Sequence, residues 1–122
     1  MHRESTTARG ARAEAEAAAY LSAQGLRVLA RNVRIGRLEI DIVVRDGEVV
    51  ALVEVRTRGQ GAWTNAFQSV DHRKRKRLRR AAHILWSRRY RRMAGVARMR
   101  FDIAAVDLSR RPPTVDHIVA AF

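Results

Sequence analysis

Apolar positions along this chain follow two periods, which trade places from segment to segment. Gly10 to Gln24 is rich in Ala, Glu and Arg, and Gly25 follows as a stop, so this stretch predicts a helix. Leu26 to Val33 mixes Leu and Val with Arg in near alternation and predicts a strand. After a short turn at Ile35, Gly36 and Arg37, the residues Leu38, Ile40, Ile42 and Val44 alternate with Glu39, Asp41, Val43 and Arg45. That is the period of a half-buried strand. Asp46-Gly47 predicts a two-residue hairpin turn, and Glu48 to Arg58 continues as a β-branched strand. Gly59 to Gln68 has no period and reads as a loop. From Ser69 or Asp71, either able to cap, a long helix is expected to about Met93, with Leu78, Ala81, Ala82 and Leu85 as its apolar stripe. Arg100 to Leu108 and Val115 to Ala120 read as strands separated by Pro112-Pro113. The order α-β-β-β-α-β-β predicts one α/β domain over 10–122, with a mixed sheet that contains an antiparallel hairpin. Residues 1–9 are expected to form a flexible, polar and basic arm.

The hairpin carries the first chemical signal. With Asp46 and Gly47 as the turn residues, Arg45 faces Glu48 and Glu39 faces Glu54. Glu39, Asp41, Glu54 and Arg56 then share one face, with Asp41 and Glu54 as diagonal neighbours roughly 7 Å apart at the backbone. Acids are rarely buried unpaired, so this face is not an ordinary core layer. Hard oxygen donors at this spacing suit Mg²⁺. A solvated face on which Glu54 pairs with Arg56 or Arg58 fits the same pattern, and the pattern alone leaves both open.

Charge changes the picture further. The chain has 122 residues, 25 of them Lys or Arg against 12 Asp or Glu, for a formal net charge of +13. Such a chain is expected to bind polyanions, of which nucleic acid is the most abundant. Between Arg73 and Arg92 stand 11 basic residues and no acid. Arg73, Lys74, Arg75, Lys76, Arg77, Arg79 and Arg80, with Arg58 ahead of them, are the expected phosphate contacts. No sequence-reading motif accompanies them, which points to recognition of shape and charge. Uninterrupted apolar runs such as Val49 to Val53 fall far short of the roughly 20 residues of a membrane span. The polar N-terminus is unlike a secretory signal, so a cytoplasmic location is the expectation. With no cysteine there is no thiolate metal site, and the four histidines lack ligand spacing. Trp63 and Phe67 are read as packing residues ahead of base-stacking ones, and Asp102 and Asp107 as edge or hydrogen-bonding residues.

Leu38 to Val44, followed by Val53-Glu54-Val55-Arg56-Thr57-Arg58, resembles the "GEIDLI … VEVKTR" signature of the YraN-like family, an uncharacterised (UPF) group. The resemblance extends to Ala13–Gly25, Arg31-Asn32, the basic helix Arg73–Ala82, Arg100-Phe101-Asp102 and His117-Ile118. It implies the restriction-endonuclease-like, PD-(D/E)xK fold, with its α-β-β-β-α-β core and relatives among Holliday junction resolvases. It further implies that Asp41 and Glu54 are catalytic metal-binding acids, with Glu14 approaching the same Mg²⁺ (or Mn²⁺). Arg56 takes the place of the motif lysine. Arginine stabilises charge on phosphate but is too basic to accept a proton from water. Leu38 and Gln68 also depart from the pattern, standing where glycine and often an acid are found. The implied function is nuclease-like binding of structured or branched DNA, with Mg²⁺-dependent phosphodiester hydrolysis. The resolvase likeness leaves a homodimer open. The alternative is a non-catalytic nucleic-acid-binding module that retains the nuclease fold. A factor associated with the ribosome or a membrane surface is a weaker third reading.

Overall fold

The computed structural model describes residues 5–57 and 72–122. Helix α1 (Thr6–Ala23) begins inside the stretch expected to be an arm. Ser5 explains the early start, because its Oγ accepts the Ala8 amide at 3.1 Å and satisfies a donor the first turn would otherwise leave open. Gly25, at φ 89°, turns the chain out of the helix in the left-handed region that glycine enters at little cost.

Strands β1 (Arg27–Ile35), β2 (Leu38–Asp46), β3 (Val49–Thr57), β4 (Arg98–Asp107) and β5 (Thr114–Ile118) form one sheet in sequence order. The first three make an antiparallel meander, β3 and β4 run parallel, and β5 returns antiparallel. Parallel neighbours need a long crossover, and α2 (His72–Arg88) lies within it. The basic helix ends at Arg88, not near Met93, and Tyr90–Arg92 winds on as a 3₁₀ turn. The expected loop over 59–68 and the caps Ser69 and Asp71 lie outside the described residues, as do Arg58, Trp63, Phe67 and Gln68.

A helix covers each face of the sheet. Ala13, Ala17 and Leu21 of α1 pack with Ile42, Val44, Ala51, Val53, Ala104 and Val106. Leu78, Ala81, Ala82 and Leu85 of α2, the stripe read from the sequence, pack with Val43, Val50, Leu52, Ile103 and Ala105. The result is a single mixed α/β domain with helices on both sides of the sheet.

The hairpin turn sits one residue later than expected. Asp46 pairs with Val49, so Gly47 and Glu48 are the turn residues. Gly47 has φ 60° at the first central position, where a type II′ turn takes glycine. The pairing therefore slips by two residues, an even number, which changes the partners but not the faces.

Asp102 is fully buried in β4, an interior strand, so the edge reading fails and the hydrogen-bonding one holds. Its carboxylate accepts from Arg100 Nε and Nη2, each at 2.8 Å, and from the Ala120 amide at 3.0 Å, and it meets His117 Nε2 at 2.7 Å. Burial opposes its ionisation, but the hydrogen bonds from His117, Arg100 and Ala120 hold its pKa down at about 2.

Candidate functional site

Beyond the register shift between Val28 and Ala30 of β1, alternation fails again at the middle of β1 and β2, and the acids gather there. Val33 and Ile40, paired across β1 and β2, belong to the α2 side. One pair further along the ladder, Ile42 packs on the α1 side and its partner Arg31 reaches Glu14 of α1. The residues between, Asn32 and Asp41, are where both strands turn over. Asn32 has φ 54°, a left-handed backbone that asparagine tolerates better than most residues. β2 and β3 part at the same level, since their pairing ends at Ile42↔Val53. The Val55 amide donates instead to Asp41 Oδ2, at 2.8 Å.

This turnover corrects the expectation that Glu39, Asp41, Glu54 and Arg56 share a face. Glu39 and Asp41 meet Glu14 on the α1 side, with one carboxylate oxygen from each lying within 4.8 Å of the other two. Glu54 keeps the regular alternation of β3 and meets α2, where Lys74 Nζ donates to its Oε1 at 2.5 Å. Arg56 Nη2 approaches the same oxygen at 3.4 Å, so the ion pair read as the alternative to a metal site is present. Among the described residues Arg56 Nε is buried without a hydrogen-bond partner.

The two halves still act on each other. Burial, the charge of Glu54 and that of Glu14 push the Asp41 carboxyl up to about 7, against the pull of the Val55 amide and Lys74. Arg31 Nε lies 3.3 Å from Glu14, and Arg34 Nη2 lies 3.5 Å from Glu39, so β1 supplies partial neutralisation. As a donor set, Glu14, Glu39 and Asp41 fit a hard cation. Oxygens around one octahedral Mg²⁺ lie at most about 4.2 Å apart, so small side-chain rotations would close the cluster. The sequence marks Glu39 as a residue of the acidic face, and its two-residue spacing from Asp41 is the signal that it joins the donor set. Lys74, expected among the phosphate contacts, turns inward to Glu54, and nothing in a charge run marks which member does so.

The remaining basic residues divide by what they touch. Arg75 lies over the Phe122 ring, 5.6 Å from its centroid, and the ring stacks on Phe101 at 4.9 Å. Arg73, Lys76, Arg77, Arg79 and Arg80 are exposed around the outside of α2. No helix among the described residues is long and apolar enough to cross a membrane.

Comparison with known proteins agrees with the resemblance read from the sequence at the level of family. The chain is 54% identical over 114 residues to the UPF0102 protein sce2912 of Sorangium cellulosum, covering 93% of this chain and 79% of that one. It is 41% identical over 128 residues to a UPF0102 protein of Pseudomonas aeruginosa, covering 98% and 96%. A UPF0102 protein of Moorella thermoacetica is 47% identical over 117 residues, covering 93% and 94%. Residues 13–106, which run from the first buried alanine of α1 to the last residue but one of β4 and contain every acid of the site, match the uncharacterised protein family UPF0102, and the chain belongs to that family.

Proposed function

We propose that this protein is a divalent-cation-dependent nuclease of the restriction-endonuclease-like, PD-(D/E)xK kind, acting on structured or branched DNA. One observation carries the reading: carboxylates from α1 and β2 converge within 4.8 Å beside Glu54, Lys74 and Arg56, next to a helix with basic residues and no acid. Glu14, Glu39 and Asp41 would hold Mg²⁺ or Mn²⁺, with Glu54 next to them. When bound, the ion supplies Lewis-acid polarisation of the phosphate and a water acidic enough to attack it. The chain's own groups do the rest. Exposed guanidinium and ammonium groups of α2 hold the flanking phosphates. Arg56 clamps the oxygens of the scissile phosphate, a task suited to a planar fork. Lys74 brings to Glu54 the ammonium that the motif would place at Arg56.

A second reading has its own support. Glu54 already has two cations on one oxygen, which meets its charge without a metal and suits a binding module that no longer turns over.

Single-turnover cleavage of flapped and branched DNA with Mg²⁺ separates the two, with Glu54→Gln as the blank. The nuclease reading expects the parent above the blank, Arg56→Lys above the parent, and Lys74→Met near the blank. Parent and Arg56→Lys both equal to the blank would leave the binding module in its place.

Both readings expect tight, weakly selective binding with a steep salt dependence. Each phosphate contact on duplex DNA contributes a slope of about −0.9. Replacing Arg73, Lys76 and Arg79 by Ala together should therefore flatten the log–log slope by about 2 to 3. An unchanged slope would place the binding surface elsewhere.

A further inference from the structure

On the α2 side, the face that carries Glu54 and Lys74, the β1–β2 turn and α2 enclose a pocket of about 280 Å³. Leu38, Ala81 and Ile84 line it with apolar surface, and the exposed side chains of Arg37, Arg77 and Arg80 surround them. No acid lines it. Three guanidinium groups gathered around apolar surface repel one another, and an anionic occupant relieves that repulsion. The apolar lining asks in addition for a flat, weakly polar body, and a guanidinium plane stacks on such a ring. The volume lies just below the ~300 Å³ at which pockets for drug-sized ligands begin, which is room for a single ring system.

Its position suits a nucleic-acid strand that also passes Glu54 and Lys74. Leu38 precedes Ile40, which lines one small cavity with Glu54, by two residues of β2, about 7 Å along an extended chain. Arg77 follows Lys74 by three residues of α2, a neighbour on the same helical face. A strand whose phosphate lies at Glu54 and Lys74 thus brings a neighbouring nucleotide to the pocket.

We propose that this pocket takes one unpaired base of a nucleic-acid strand, with Arg37, Arg77 and Arg80 holding the phosphates on either side of it. The proposal rests on reading the chain as a nuclease, and it assigns that site a preference for a strand with an unstacked nucleotide over an intact duplex. Leu38 makes the preference a property of this chain, since it stands where the signature has glycine and supplies one wall of the pocket.

The test is binding of the full chain, in EDTA, to oligonucleotides with a single-stranded overhang and to a blunt duplex of equal charge. An abasic residue is moved through the overhang one position at a time, in deoxyribose and ribose versions. One position is expected to lose about tenfold in affinity in at least one version, since stacking a single base is worth roughly 5- to 150-fold. Ile84→Trp, which fills the pocket, should lose the same factor and become indifferent to the abasic position. If Ile84→Trp does not fold, Leu38→Gly removes a wall and should show a reduced loss. No sensitive position in either version, or variants that keep the parent's sensitivity, would overturn the proposal. Because the assay needs no turnover, the two readings fail separately. Cleavage without base sensitivity removes only the pocket, and base sensitivity without cleavage removes only the nuclease.

Discussion

If the protein is the nuclease proposed above, Asp41→Asn should lower its cation-dependent cleavage by about 10²–10³-fold, the usual cost of deleting one group that handles charge at a reacting centre. In EDTA the same substitution should stabilise the protein. The two signs differ because the carboxyl is held in a place that opposes its charge. Burial comes first among the causes, then Glu54 and Glu14, and together they raise its pKa from 3.8 to about 7. The folded state then binds more protons than the unfolded state between those two values. Stability must fall as pH rises from about 4 to about 7 and level off above that. Allowing for solvent screening of a half-buried group, the loss is on the order of 2 kcal/mol. Asparagine has no charge to bury and still offers a carbonyl to the Val55 amide, so its melting curve should be flat over the same window. Melts in EDTA from pH 5 to pH 8 decide this. A parent as flat as the variant would show that Asp41 titrates as an ordinary solvated carboxylate. A divalent ion needs the carboxylate form, so its affinity for the parent should increase across the same window, with proton release.

The largest stability effect is expected at Asp102. Asp102→Ala should destabilise the fold by about 3–5 kcal/mol, because it removes a fully buried carboxylate and leaves the half-buried Arg100 guanidinium, His117 and the Ala120 amide without it. Among the described residues Arg100 would keep Asp46 alone, whose Oδ2 lies 3.2 Å from its Nη2. The effect reaches beyond β4. Asp102 also binds the Ala120 amide, and the Ala121 amide donates to the Phe101 carbonyl at 2.8 Å, which seats Phe122 on Phe101 beneath Arg75 of α2. One carboxylate thus ties the C-terminal residues to the helix that supplies Lys74. Asp102→Asn keeps the shape and half of the acceptor capacity, so it should lose less. The sign with pH is opposite to that at Asp41. A carboxyl held at about 2 contributes stability that is complete above its unfolded pKa near 4 and lost as pH falls toward 2. Acid melts of Asp102→Asn should lack that limb. If Asp102→Ala melts like the parent at neutral pH, the network is decoration and the C-terminal residues are held by Phe122 alone.

Much of this was legible in one dimension. The order of elements follows from where the apolar period changes between 2 and 3.6, because those periods are properties of the local backbone. The buried stripe of α2 was read residue for residue, since a helix facing a sheet has one apolar side wherever it packs. The turn was placed one residue early, yet Glu54 kept its face, because a slip of two preserves the parity of side chains. The family signature likewise lies in the linear order of residues and needs no coordinates.

Only the tertiary structure decided which acids meet. The sequence marks Asn32 as tolerant of a left-handed backbone, but it does not say that two paired strands turn over there together. That single event moved Glu39 and Asp41 to the α1 side and left Glu54 with Lys74. Asp102 is likewise 15 residues from His117 and 18 from Ala120, and no local pattern joins them. Pattern reports whether a position is wet or dry. The pairing of charges depends on where separate elements bring their side chains in space, and that is a property of the packed fold.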